Sequence, residues 1–157
     1  MSLAGLSLTP PPDFVVDQTM ITWRAPAPTQ GDPRFLHKQA AIRPNLIIHR
    51  REVGANVPLE VLAGEVTAEL VSSVPGLGAL TSESFTFADG TLGIIIGFDF
   101  SAATLGSARQ YHVLRKDGGV FTTMTLTLDK LTLNDAARAR WMTFFASAAV
   151  NGNGALS

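Results

Sequence analysis

Cysteine is the most informative absence from this chain of 157 residues. Without a thiol, the protein has no disulfide bridge, thiolate nucleophile, zinc ribbon or iron–sulfur cluster. A cysteine-free composition is compatible with a reducing compartment. The N-terminus also lacks the basic start and apolar core of a secretory signal. We therefore expect a cytoplasmic location.

A charge surplus and a long apolar run are also missing. The chain carries 12 Lys and Arg against 13 Asp and Glu, for a net charge of −1. Nucleic-acid binding needs a basic surplus on one face, so we expect no nucleic-acid partner. The longest apolar run, Leu92 to Phe98, is far shorter than the roughly 18 residues that span a bilayer. We therefore expect no direct membrane anchoring.

Motifs for catalysis or metal binding are scarce. His37, His49 and His112 do not form a metal-ligand pair at the usual spacings. There is no nucleophile elbow, and the single G-x-G at residues 76–78 precedes a predicted strand instead of a helix. Two carboxylates could still converge in space, which keeps an enzyme open as an alternative. We expect no cofactor, no metal and no catalytic residue.

Proline usage divides the chain. Seven of the nine prolines fall within the first 44 residues. Residues 1–12 are predicted to be a flexible proline-rich leader, followed by a single domain over 13–150 and a disordered tail over 151–157. A long irregular loop is predicted within the domain, at residues 26–44.

Periodicity within the domain predicts an α+β fold. The predicted elements are strands at Thr19–Ala25 and Asn45–Val53, a helix at Val57–Ser73, a four-stranded meander over Ala79–Asp129 and a helix at Asn134–Val150. We expect Asn56 to cap the first helix, and Thr132 with Asp135 to cap the second. Together these features predict an antiparallel sheet of about six strands with two amphipathic helices packed on it.

The turns predict which strand residues share a face of the sheet. A two-residue turn at Asp89-Gly90 would place Phe85 opposite Ile94. A turn near Gly118 predicts in the same way which residues of the next two strands share a face. The predicted core face, on which both helices would pack, carries Phe85, Phe87, Leu92, Ile94, Ile96, Phe98, Phe100, Tyr111, Val113, Val120, Met124, Leu126 and Leu128.

The opposite face is unusual because it has almost no Lys or Glu. It is predicted to carry Gly93, Ile95, Gly97, Asp99, Gln110, His112, Leu114, Phe121, Thr123, Thr125 and Thr127. Such a surface is typical of an interface. It could be covered by the proline-rich segment or by a second subunit, or it could bind an apolar ligand or helix.

Short motifs resemble the DcrB-like domain of the PsbP-like superfamily. They are DQTMITW at residues 17–23, NLIIHR at 45–50, a helix that ends at Pro75-Gly76, R-Q-x-x-V at 109–113, T-x-T-x-T at 123–127 and Trp141. The resemblance covers most of residues 13–150 and implies a PsbP-like fold. A lipoprotein branch would need a signal peptide and a lipidated cysteine, neither of which is present.

The other branch, cytoplasmic effector-associated chaperones of type VI secretion, lacks targeting signals. Its members are homodimers that hold the N-terminal transmembrane helices of an effector on an apolar sheet surface before export. The resemblance thus implies a non-catalytic chaperone or adaptor. Alternatives are a structural or scaffolding PsbP-like module that binds a folded partner, and an enzyme with an unrecognised site.

The residues expected to contact such a helix fall into three groups. Aliphatic and aromatic side chains would cover its apolar surface, glycines would allow close approach, and amide, hydroxyl or imidazole groups would bond its polar groups. The predicted partner-binding residues are Ile21, Ile47, Gly93, Ile95, Gly97, Gln110, His112, Leu114, Phe121, Thr123 and Thr125.

Overall fold

A computed structural model describes residues 2–3, 6–7, 18–23, 42–102 and 106–148. The strands are β1 (Ser2–Leu3), β2 (Leu6–Ser7), β3 (Gln18–Thr22), β4 (Asn45–Glu52), β5 (Thr81–Thr86), β6 (Leu92–Ala102), β7 (Gly106–Asp117) and β8 (Val120–Asp129). The helices are α1 (Leu59–Ser73), a short 3₁₀ turn (Lys130–Thr132) and α2 (Asp135–Ala146). The predicted tail, most of the predicted loop at 26–44 and most of the leader lie outside the described residues.

One six-stranded antiparallel sheet organises the described part of the chain. Its strand order is β3-β4-β8-β7-β6-β5. The predicted four-stranded meander corresponds to β5, β6, β7 and β8, which lie next to one another in the sheet. Strand β4 pairs with the other side of β8, and β3 pairs with the outer side of β4. Strands β1 and β2 pair only with each other. The α+β prediction, with about six strands and two helices, is confirmed.

Helix α1 begins two residues later than predicted. Pro58 occupies the N-cap position and no side chain caps the helix, so the predicted role of Asn56 is wrong. The helix ends as predicted before Pro75-Gly76, where Gly76 has a φ of 68° that suits glycine. Leu62 and Leu70 are buried, with Leu59 and Val66 packed beside them, so the helix packs on the sheet through an apolar side, as predicted.

Helix α2 is capped by a residue other than those predicted. Asn134 Oδ1 accepts a hydrogen bond from the Ala137 main-chain N–H at 2.9 Å. The Thr132 hydroxyl instead donates to the main-chain oxygen of Asp129. Phe145 on α2 is fully buried, and Trp141 packs against the same cluster. The amphipathic character of α2 is therefore confirmed, although the capping-box prediction is wrong.

The two helices pack on opposite faces of the sheet. On the α1 face, a buried cluster consists of Leu62, Ala63, Leu70, Ile96, Phe98, Leu114 and Phe121. On the α2 face, the cluster consists of Leu46, Phe87, Ile95, Tyr111, Val113, Met124, Leu126, Leu128 and Phe145. The prediction that both helices cover one face is therefore wrong, and the sheet forms the middle layer of three.

The β5–β6 turn also differs from the prediction. Its loop has three residues, Ala88 to Gly90, because the Phe87 N–H donates to the Thr91 oxygen at 2.9 Å. Gly90 adopts a φ of 83°, as a three-residue hairpin loop requires. Phe85 therefore pairs with Gly93, and the predicted pairing with Ile94 is wrong.

The remaining hairpins complete the assignment of faces. Strand β6 pairs with β7 so that Ile95 lies opposite Val113 and Ile96 lies opposite His112. The β7–β8 turn is Gly118-Gly119, and Tyr111 lies opposite Leu126, so these two residues share a face as predicted. The even-numbered and odd-numbered residues of β6 therefore lie on faces opposite to those predicted.

Helix length and hydropathy bear on the membrane question. Among the described residues, no helix is long and apolar enough to cross a bilayer.

Candidate functional site

The eleven predicted partner-binding residues do not share one surface. Because directly opposed residues in an antiparallel pair point to the same side, the register assigns each to a face. The α1 face carries Ile47, Gln110, His112, Leu114, Phe121, Thr123 and Thr125. The α2 face carries Ile21, Gly93, Ile95 and Gly97. The prediction of a common surface is wrong, whereas the partner-binding role of these residues stays a prediction.

Ile21, Gly93, Ile95 and Gly97 are used in internal packing. Ile95 is 4% exposed within the α2-face cluster, and Ile21 packs against that cluster. A Cβ at Gly93 would lie 2.6 Å from the Leu114 main-chain oxygen, so the strand itself needs glycine there. A Cβ at Gly97 would lie 3.0 Å from Arg109 Nη2. These four residues belong to the core.

Leu114 and Phe121 lie beneath α1. Leu114 is fully buried and Phe121 is 2% exposed. Phe121 nevertheless forms part of the floor of an adjacent depression, with the Arg51 guanidinium carbon 5.2 Å above its ring centroid. Leu114 therefore supports the fold, while the edge of Phe121 borders open space.

A groove runs between α1 and strands β4 and β8. Helix α1 packs over β6 and β7. The next strands in the sheet, β8 and then β4, therefore lie to one side of the helix. The groove has a volume of about 510 Å³. We define the α1 groove by its lining residues, His49, Arg51, Glu65, Val66, Glu69, Leu70, Ser73, His112, Phe121, Thr123 and Thr125.

The sheet surface continues from the α1 groove toward the β3 edge. Thr125 on β8 lies opposite Ile47 on β4, which in turn lies opposite Met20 on β3. Ile47 is half-buried and Met20 is 61% exposed. The α1 groove therefore has an extension that combines aliphatic side chains with threonine methyl groups.

A chain of hydrogen bonds crosses the floor of the sheet. Gln110 Nε2 donates to Thr127 Oγ1 at 2.9 Å, and Gln110 Oε1 lies 2.9 Å from His112 Nε2. On the other side of the ring, His112 Nδ1 lies 3.2 Å from Thr125 Oγ1. Because Gln110 Oε1 can only accept, the imidazole carries its proton on Nε2 and accepts from Thr125 at Nδ1.

Burial determines the charge of His112. Its ring stacks on Phe98, with centroids 5.8 Å apart, and is largely shielded from solvent. Desolvation lowers the pKa of His112 from 6.5 to about 4, so the ring is neutral at physiological pH. The neutral state agrees with the hydrogen bonds that the ring makes on both sides.

An ion pair links the two walls of the α1 groove. Arg51 Nη2 of β4 lies 2.8 Å from Glu65 Oε2 of α1, and both side chains are about half exposed. Glu69 and Ser73 follow at four-residue intervals along the same side of the helix. The groove therefore has charged rims and a polar, uncharged floor.

The described residues contain no group of three His, Cys, Asp or Glu side chains that could hold a metal ion. His49 and His112 both line the α1 groove, but His112 makes both of its ring hydrogen bonds within the sheet. The arrangement can bind side chains through apolar contact, hydroxyl groups and charge.

Sequence reasoning missed the α1 wall of the groove and the exposed Met20. Glu65, Glu69 and Ser73 recur every four residues, which shows that they share one side of a helix. That spacing does not show which part of the protein this side of the helix faces. His49, Arg51 and Ile47 lie two residues apart on β4 and could have been grouped by strand period alone, and Met20 lies opposite Ile47.

Comparison with known proteins supports the fold. No protein-family model matches the chain, and no curated protein matches its sequence. The chain is similar to the crystal structure of PA94, a Pseudomonas aeruginosa protein of unknown function. The TM-score is 0.62 at 14% sequence identity, with 91% of this chain and 92% of that chain covered. At this identity the likeness shows a shared fold.

Proposed function

We propose that the protein is a non-catalytic chaperone or adaptor that binds apolar helices of a type VI secretion effector before export. The class of partner is inferred from the resemblance of the short motifs to DcrB-like domains. The α1 groove with its extension across Ile47 and Met20 supplies the surface that supports the proposal. In this proposal the protein acts in the cytoplasm as a homodimer and uses neither cofactor nor metal.

The observation that carries the proposal is the exposed apolar edge of the α1 face. Met20 is 61% exposed directly beside the half-buried Ile47. Covering such side chains removes apolar area from water, which contributes roughly 25 cal/mol for each Å² buried. A helix laid along this surface would therefore gain free energy by covering Met20 and Ile47.

Threonine and glutamine suit an apolar helix that carries a few polar groups. The methyl groups of Thr123 and Thr125 can contact aliphatic side chains, as small residues do between packed membrane helices. Gln110 uses one amide hydrogen on Thr127 and has a second available. Stoichiometric shielding of this kind requires no reacting group.

The experiment is co-expression with the product of the neighbouring open reading frame, with the soluble partner measured after membranes are removed. The proposal predicts a soluble complex with a partner that contains apolar N-terminal helices. A partner that stays insoluble would contradict it. A soluble complex with a folded partner that lacks such helices would favour a scaffolding module instead.

Matched variants locate the surface. Ile47→Glu places a charge on the groove extension, and we expect loss of the complex without loss of the fold. Ser84→Glu is the control, because Ser84 is exposed on β5, three strands away from β8 in the sheet. Equal partner binding by both variants would place the binding surface elsewhere.

A further inference from the structure

The rims of the α1 groove differ in charge. The α1 rim presents Glu65 and Glu69, whereas the β4 rim presents Arg51 and His49. The lining residues contain two carboxylates, both on α1, and one guanidinium, and the imidazole of His112 is neutral. The groove therefore has a surplus of negative charge on the helix side.

One carboxylate is already neutralised. Glu65 is paired with Arg51 at 2.8 Å, and the guanidinium also lies over the Phe121 ring. This ion pair joins α1 to β4, and each of the two charges has a partner of opposite sign. A ligand charge placed at this end would have to compete with an existing ion pair.

The second carboxylate is not neutralised. Glu69 lies about one helical turn after Glu65, and within the described ranges its carboxylate has no cationic side chain in ion-pair contact. Its hydrogen bonds are made by its main-chain oxygen, which accepts from the Ser72 and Ser73 hydroxyls. The free carboxylate is exposed at the rim of the groove.

The end of α1 adds to the same negative potential. The helix ends at Ser73, which lines the groove, and its last turn contains no basic residue. The unpaired carbonyl groups at a helix C-terminus carry a partial negative charge that attracts cations. Two independent features, the Glu69 carboxylate and the helix end, thus favour a positive group at one end of the groove.

We propose that the helix bound in the α1 groove carries a lysine or arginine at one end, where its charge pairs with Glu69 over the C-terminal turn of α1. This inference rests on the proposed function, because it requires a helix in the groove. It gives the bound helix a preferred direction, since the other carboxylate of the groove, Glu65, is already paired with Arg51.

Two soluble amphipathic helical peptides test this inference with the full chain. They share one apolar face and differ at one terminal position on that face, lysine in one and glutamine in the other. Affinity is measured by fluorescence anisotropy of the labelled peptides. An exposed ion pair predicts that the lysine peptide binds roughly two- to fivefold more tightly, with the advantage shrinking as salt rises.

Glu69→Gln should remove the preference for lysine, and Glu60→Gln should keep it. Glu60 is a matched control because it is exposed on the same helix but does not line the groove. Equal binding of the two peptides by the unmodified protein, or a preference that survives in Glu69→Gln, would overturn the charge proposal alone. If neither peptide binds, the proposed function fails together with it.

Discussion

Arg115 Nη2 donates to Asp89 Oδ2 at 2.6 Å, although only 2% of the arginine side chain is exposed. The same guanidinium also bonds Asp117 at 2.7 Å and the main-chain oxygen of Ala148 at 3.1 Å. It lies 4.7 Å above the Phe87 ring centroid. Arg115 therefore ties the β5–β6 turn, the β7–β8 turn and the end of α2 together, and it holds the pKa of Asp89 well below its ordinary value.

Arg115→Met should destabilise the protein by about 2 to 4 kcal/mol, because methionine fills much of the volume but supplies no donors to these oxygens. The measurement is urea unfolding followed by tryptophan fluorescence. Arg140→Met on α2 is the control, since Arg140 is exposed and we expect a change of less than about 0.5 kcal/mol. Equal stability of the two variants would show that the Arg115 contacts contribute little.

His112 should make stability depend on pH. Burial lowers the pKa of its ring in the folded state to about 4, against 6.5 for the unfolded chain. As the pH falls, the ring is protonated in the unfolded state before it is protonated in the folded state. The contribution of His112 to the free energy of unfolding is therefore fully present above about pH 6.5 and is lost as the pH drops toward 4. The loss should be of the order of 3 kcal/mol.

The His112 contribution can be separated from that of the carboxylates by mutation. In His112→Gln the decline between pH 6.5 and 4 should be shallower in urea unfolding measured at several pH values. His49→Gln is the control, because His49 is exposed. A slope unchanged by the loss of His112 would mean that the pKa of the ring is the same in the folded and the unfolded protein.

Two glycine substitutions should have opposite effects. Gly93→Ala places a Cβ 2.6 Å from the Leu114 oxygen and 2.7 Å from Phe87 Cε2, and we expect a loss of about 1 to 3 kcal/mol. Gly64→Ala on α1 meets no atom within 4 Å and should stabilise the helix by about 0.5 to 1 kcal/mol. The midpoint of thermal unfolding measures both. A neutral Gly93→Ala would contradict the packing described for β6.

The elements themselves were predictable because their signals are local. Helix α1 has an apolar stripe and a proline-glycine stop, and strand β8 alternates threonine with larger apolar residues over Thr123 to Leu128. The β7–β8 pairing was also predictable, since either possible turn near Gly118 preserves which residues share a face. The prediction that Gln110, His112, Leu114, Phe121, Thr123 and Thr125 share a face followed from that hairpin and is confirmed.

The prediction failed for strand β6, whose register with both β5 and β7 differs from the one predicted. Asp89-Gly90 suits a two-residue hairpin loop, and it also suits a three-residue loop that ends in a left-handed glycine. The hydrogen bond from Phe87 to Thr91 selects the second. Because side chains alternate along a strand, a shift by one residue exchanges the faces of all its residues. Ile95 thus belongs to the core, and Ile95→Glu should prevent folding instead of reporting on binding.

The α1 groove depends on a contact between distant parts of the chain. Glu65 on the helix meets Arg51 on β4 only because β4 lies beside β8 in the sheet. No local pattern specifies that strand order. In the sequence, the side of α1 that carries Glu65 and Glu69 has the pattern typical of an ordinary solvent-exposed helix face.

The central claim, that the α1 groove is the binding surface, can be tested with a single fluorescent label, because the chain contains no cysteine. Thr123→Cys places an environment-sensitive dye in the groove, and Ala139→Cys places it on the exposed side of α2. On addition of the helix-bearing partner, the account predicts a blue shift of the dye at position 123 and no shift at position 139. A shift only at position 139, or none at 123 while the complex forms, would contradict it.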